Sequence, residues 1–396
     1  MATRCSLHVL RRTCHLYNSF ASSPWMFTSY LTPVNIKPNC RHLFSQEILG
    51  LDNYQRQRIL ITDRLGDLRP KFIERMKSLA NNDRIDRIFT DDLKTMAYIA
   101  AHKEEIELVQ NMLIKYHQQD NSQQFNTYSF GPVVLRLLYI MKDVDTALKL
   151  FESEETRPLF SQVTSYIILM DMLYESKQYD DTLKVFQIVT ENETNIKYPN
   201  DCTTIAFATY YALNTAEALQ NCQELLKACL NLKLQVSNRA LVFAAMLALK
   251  QEQPAIALEM ISLRDDSFQF VLKNLKALCY AKLNRIEDTL PILRSILQCD
   301  SPYRNRQLKV FPEVVNVIHS AAENHGDPVF KRTLETIELS LRTGGLISDV
   351  LLEEFITQRI VRTRQPQNSF KARGRSTVDG YRSRQSNTVR SRSNAI

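Results

Sequence analysis

Apolar residues in this chain recur in short stripes at helical spacing, broken by polar turns. Tyr166, Leu169, Met170 and Leu173 stand at i, i+3, i+4 and i+7, which places them on one face of a helix. Tyr179, Leu183, Phe186 and Val189 form a second such face. Ser176, Lys177 and Gln178 interrupt the two stripes, as the turn of an αα-hairpin does. Further helical stretches run over 54–79, where Pro70 marks a new start, and over 241–250, 275–284, 330–341 and 346–360. Alternating strand patterns are nearly absent, so the expected fold class is all-α.

The hairpin pattern repeats. Leu138–Phe151 and Leu173–Phe186 lie 35 residues apart and share seven of fourteen positions, including Lys142/Lys177, Asp145/Asp180 and Phe151/Phe186. Average residue usage gives about one match by chance. A fixed period of this size predicts an α-solenoid of stacked hairpins, because no single hairpin can bury its apolar face alone. Weaker copies of the second-helix pattern fall at Leu108–Met112, Cys222–Leu226, Ala257–Ile261 and Thr289–Leu293. They predict about five to seven helix pairs between Thr90 and Leu341.

The clearest copy, residues 163–200, resembles the pentatricopeptide repeat through Thr164, Tyr166, Leu169, Asp171 and Leu173, then Asp180, Leu183 and Phe186, and a closing segment of Ile196, Lys197, Pro199 and Asn200. It is 38 residues long rather than 35, and Lys177 stands where the family usually has glycine. The resemblance implies a helix-turn-helix solenoid and an RNA ligand. In such repeats bases are read by a polar residue early in the first helix and another at the repeat's end. The first position here is Ile167, preceded by Pro132 one copy earlier, and neither can hydrogen-bond a base edge. Asn200 or Asp201 is the candidate at the second.

Charge separates the ends from the middle. Residues 1–46 hold five basic residues, no acid and many Ser and Thr, the composition of a mitochondrial transit peptide. Residues 359–396 hold ten Arg or Lys against Asp379 alone, in a Ser- and Asn-rich tail of the kind that does not fold. The chain is +7 overall; the ends contribute +5 and +9, so 47–358 is −7. The expected organisation is a transit peptide at 1–46, a helical cap at 47–101, the solenoid at 102–358 and a basic tail at 359–396.

Candidate chemistry is sparse. Eight glycines form no phosphate-cradling loop, seven histidines form no H-E-x-x-H, and eight cysteines form no C-x-x-C. Cys222 and Cys229 are seven apart on one helix face, a core spacing rather than a metal site. The acid pairs Asp180–Asp181 and Asp265–Asp266 sit where helices are expected to begin, and there carboxylates favour the positive dipole end. No run of 18 apolar residues predicts a transmembrane helix. The reading is therefore non-catalytic, with no cofactor and no metal.

Binding remains. Arg362, Arg364, Lys371, Arg373 and Arg375 in the tail can neutralise phosphates and release counterions without reading sequence. The family resemblance implies a matrix protein acting on mitochondrial RNA, a single-stranded transcript, in mRNA processing and maturation that supports the respiratory chain. It would work alongside other mitochondrial RNA-processing proteins. The alternative is a protein scaffold, such as a mitoribosome-associated or complex-assembly factor. The negative middle and the apolar base-reading positions favour that reading.

Overall fold

A computed structural model describes residues 43–81, 87–119, 128–191, 197–263, 270–298 and 308–359. The acid-free segment 1–42, Asp265–Asp266 and the tail beyond Arg359, with Arg362, Arg364, Lys371, Arg373 and Arg375, lie outside the described residues. The rest is an all-α solenoid. Among the described residues, a short α1 (Gln46–Leu49) precedes eight helix pairs: α2 (Leu51–Leu65) with α3 (Arg69–Asn81), α4 (Thr90–Ile99) with α5 (Lys103–Gln118), α6 (Gly131–Met141) with α7 (Val144–Glu152), and α8 (Val163–Glu175) with α9 (Tyr179–Glu191). They continue as α10 (Asn200–Leu213) with α11 (Ala216–Asn231), α12 (Asn238–Lys250) with α13 (Pro254–Ser262), α14 (Phe270–Lys282) with α15 (Thr289–Leu297), and α16 (Pro312–His325) with α17 (Pro328–Thr343). The last of the described helices is α18 (Leu352–Thr357). The first helix of each pair packs on the first helix of the next, from α2 through to α16.

The repeated residues have definite jobs. Lys142 and Lys177 both adopt the left-handed conformation, with φ of 57° and 62°. Each closes its first helix with a 6→1 hydrogen bond, Asp143 N–H to the Leu138 carbonyl and Gln178 N–H to the Leu173 carbonyl, both 3.0 Å. Glu252 and Asn284 repeat the conformation and the bond in later pairs. A left-handed lysine costs about 1–2 kcal/mol relative to helical backbone, and the turn tolerates it where the family usually has glycine. Phe151 and Phe186 are buried between successive units. Phe151 meets Tyr166 of the next first helix edge-on at 5.8 Å, and Phe186 lies 6.4 Å from Tyr198. Gly131 lets α6 approach the turn 157–160, since a Cβ there would run into the Leu159 carbonyl and stand 2.8 Å from Ser165 Oγ.

Three expected features take a different form. Leu43, Phe44 and Ser45 are buried against the helices, so the packed chain begins before residue 46. The pair α2–α3 stacks on α4 and α5 like any other unit, and the expected boundary at Ala101 falls in the turn between α4 and α5. Of the stretch expected to be helical over 346–360, the described residues are helical only over Leu352–Thr357. Ile347 instead makes a parallel bridge with Val310, held by Val310 N–H to Leu346 O and Ser348 N–H to Val310 O, both 2.8 Å. Cys222 and Cys229 sit in the core of α11, where burial pushes their thiols up to about 12 and about 11. Asp180 and Asp181 lie in the first turn of α9.

Candidate functional site on the first-helix face

Stacking the first helices makes one continuous face. Toward the amino-terminal end aromatic and basic residues cluster at it, with Tyr54 and Tyr98 buried in the core and Lys94, Tyr128 and Arg136 half-buried. Tyr54 stacks on Tyr98 at 5.0 Å, and Lys94 Nζ stands 5.0 Å above the Tyr128 ring. Arg136 reaches from α6 to donate through Nε to the Leu49 carbonyl at 2.8 Å. Burial works against its charge, while the three surrounding tyrosines favour it.

Asp171 lies beneath the face, in the middle of the apolar stripe of α8. It is fully buried. Phe44 N–H donates to Oδ1 at 3.2 Å and Tyr139 Oη donates to Oδ2 at 2.9 Å. Desolvation pushes its carboxyl up to about 7, against the pull of those two bonds and of Arg359. Beyond it come Tyr174 on α8, Tyr211 on α10, and Arg239, Phe243 and Lys250 on α12. The Arg239 guanidinium lies 5.5 Å from the Phe243 ring and Lys250 Nζ 4.2 Å from the Tyr211 ring. Burial lowers Arg239 to about 10, with Tyr174 acting the other way. Its Nε finds no acceptor among the described residues.

Both ends of the described chain lie on this face. The amino-terminal segment 43–49 covers α8 and α6 through Phe44 and Leu49. The carboxy-terminal segment crosses the later first helices in reverse order. Leu352 N–H donates to Glu313 Oε2 on α16 at 2.7 Å, and Phe355 packs against Phe270 of α14 and Phe311. Glu353 Oε1 accepts from Tyr211 Oη at 2.8 Å and from Lys250 Nζ at 2.7 Å. Arg239 donates to the Gln358 carbonyl, and Arg359 ends near Asp171.

The base-reading positions expected from the sequence behave differently. Ile167 is half-buried and packs on the core, and Pro132 is buried. Asn200 is exposed as the first residue of α10, its carbonyl accepting from Thr204 Oγ1 at 2.7 Å, and Asp201 beside it is half-buried. The structure does not bring Asn200 or Asp201 together with the Tyr211–Lys250 pair by any described hydrogen bond. Sequence reading missed Tyr211, Arg239 and Lys250, whose role depends on a segment more than 100 residues away. Among the described residues no group of three or more His, Cys, Asp or Glu is placed to hold a metal ion, and no helix is long and apolar enough to cross a membrane.

No family model matches the chain. It aligns instead with individual proteins along much of its length. Mitochondrial pentatricopeptide repeat-containing protein 2 of Homo sapiens is 26% identical over 255 residues, 64% of this chain and 65% of that protein. The Pongo abelii protein of that name is 27% identical over 263 residues, covering 66% and 67%. The Danio rerio one is 23% identical over 350 residues, covering 86% and 90%. This chain is similar to pentatricopeptide repeat-containing protein 2. The matched region spans about two thirds of the two mammalian proteins and most of the fish one. The name these relatives share, the stacked helix pairs and the 35-residue repeat together make this a mitochondrial helical-repeat protein. In the pair α8–α9, Phe186 and Lys177 stand at the packing and turning points.

Proposed function

We propose that this protein binds single-stranded RNA in the mitochondrial matrix and acts, without catalysing a reaction itself, in the processing or maturation of a mitochondrial mRNA on which the respiratory chain depends. The observation that carries this reading is the continuous first-helix face with its polar and aromatic lining, in a chain similar to mitochondrial pentatricopeptide repeat-containing proteins. The half-buried Tyr128, Tyr139 and Tyr174 offer stacking surfaces for unpaired bases, and Lys94, Arg136 and Lys250 offer phosphate contacts. The tail from Arg359 adds sequence-independent attraction through Arg362, Arg364, Lys371, Arg373 and Arg375. Asn200 and Asp201 are the candidates to read a base at the end of the clearest repeat. The acid-free amino terminus directs import.

Fluorescence anisotropy on several single-stranded oligonucleotides at two salt concentrations tests this. The full chain binds them. Truncation after Gln358 removes nine net positive charges and weakens binding to all of them together. It also flattens the salt dependence by about 0.7 for each phosphate that the tail no longer neutralises. The ranking among sequences stays, because phosphate contacts carry no sequence information. Absence of binding at any salt overturns the reading and leaves a protein scaffold.

A further inference from the structure

The carboxy-terminal segment that crosses the first-helix face is tied down by groups an incoming polyanion can replace. Its anchors are few. Leu352 and Ile356 are buried and Phe355 is half-buried, while Glu354 is exposed and Glu353 is exposed apart from its carboxylate contact. α18 spans six residues, too short to be stable on its own. The bridge between Val310 and Ile347 fixes the start of the segment. Beyond Ser348 the chain is held mainly side chain by side chain.

The central contact is a carboxylate on cationic and hydroxyl donors. Glu353 Oε1 takes Lys250 Nζ at 2.7 Å and Tyr211 Oη at 2.8 Å. Partial burial opposes the Lys250 charge, yet the bonds to Glu353 and Tyr211 hold its ammonium above the ordinary lysine range. At the other end of α12, about three turns away, Arg239 lies over Phe243. It spends one N–H on the Gln358 carbonyl and leaves buried Nε without an acceptor among the described residues. An ammonium beside a phenol can take one phosphate. A guanidinium can take a second phosphate further along the same strand. The segment Glu353–Gln358 spans the two positions with an extended carboxylate at one end and a carbonyl at the other.

We propose that Tyr211, Lys250 and Arg239 form a phosphate-accepting track for single-stranded RNA, and that the segment Leu351–Arg359 closes this track in the free protein, its Glu353 carboxylate standing where a backbone phosphate binds. The proposal rests on the RNA reading and adds its regulation. RNA and the segment compete, so apparent affinity is reduced by the fraction of molecules in which the track is closed. The segment is tethered, so it competes at high effective concentration.

The test uses the full chain and a fluorescein-labelled single-stranded oligouridine. Glu353→Gln keeps the shape of the side chain and removes its charge; it should tighten binding by about three- to tenfold. Glu354→Gln makes the same charge change beside the contact and should leave affinity within about twofold. Adding Lys250→Met to Glu353→Gln should cancel the gain. Hydrogen exchange of 351–359 in the unmodified chain should speed up when the oligonucleotide is added. An affinity unchanged or weakened by Glu353→Gln, in a protein that binds RNA, overturns the proposal, as does slower exchange of 351–359 on binding. If no form binds the oligonucleotide at low salt, the RNA reading itself falls, and this inference with it.

Discussion

Asp171 gives the sharpest handle on how the first-helix face is held together. A buried carboxylate whose folded-state pKa is raised from 3.8 to about 7 makes stability fall as pH rises. Between those values the unfolded chain has lost the proton and the folded chain keeps it. The folded state therefore binds more protons, and each pH unit in that window costs about 1.4 kcal/mol. Below about pH 4 the full contribution is present; above about pH 7 it has gone. The gap corresponds to about 4 kcal/mol. Asp171→Asn removes the ionisation while keeping an oxygen for Phe44 N–H. Tyr139 Oη must turn from donor to acceptor, at about 1 kcal/mol. The variant should then be about 3 kcal/mol more stable than the parent at about pH 8 and under about 1 kcal/mol more stable at about pH 5. Urea unfolding followed by far-ultraviolet circular dichroism at a series of pH values measures this difference. Parallel pH profiles for the two proteins, or an Asn variant less stable at about pH 8, would show that Asp171 does not hold its proton in the folded state.

Other consequences come from the packing. Phe186→Ala should cost about 3–5 kcal/mol, because the ring is buried between units, whereas Lys184→Ala, on an exposed side chain paired with Asp181, should leave the melting temperature almost unchanged; equal shifts in thermal melting would contradict the assigned faces. Gly131→Ala should destabilise by about 1–3 kcal/mol, since its Cβ meets backbone that cannot swing away, and a melting temperature within error of the parent would show that α6 can shift. Lys177→Gly should raise the melting temperature slightly, relieving a left-handed residue, while Lys177→Ile should lower it. Deleting residues 2–42, which spares buried Leu43 and Phe44, should leave a folded protein in the cytosol, and fractionation that still finds it in mitochondria would remove the import role from this segment.

The fold was legible where the causes are local. The i, i+3, i+4 stripes of α8 and α9, the recurrence of Phe151 and Phe186 and the polar turn at Lys177 all act within one repeat. The helix starts at Asp180 and Pro70 also fell where expected. The carboxy-terminal segment was not legible. The stretch 346–360 reads as one helix, but Ile347 pairs with Val310 and Phe355 packs on Phe270 and Phe311, partners distant in sequence. Lys250 and Tyr211 carry no local signal, because the contact that singles them out is with Glu353, more than 100 residues away. Asp171 did carry a readable signal. A carboxylate within an apolar helical stripe requires buried donors, although nothing in its neighbourhood names Phe44 as one of them.

RNA on the first-helix face is tested most directly by ultraviolet crosslinking in intact mitochondria, with RNA and protein partners recovered together and the crosslinked peptides sequenced. Mitochondrial transcript should be recovered, with crosslinks on peptides from α8, α10 and α12 that carry Tyr174, Tyr211 and Arg239. Recovery of protein partners alone, or of RNA joined only to peptides of the second helices, would contradict it.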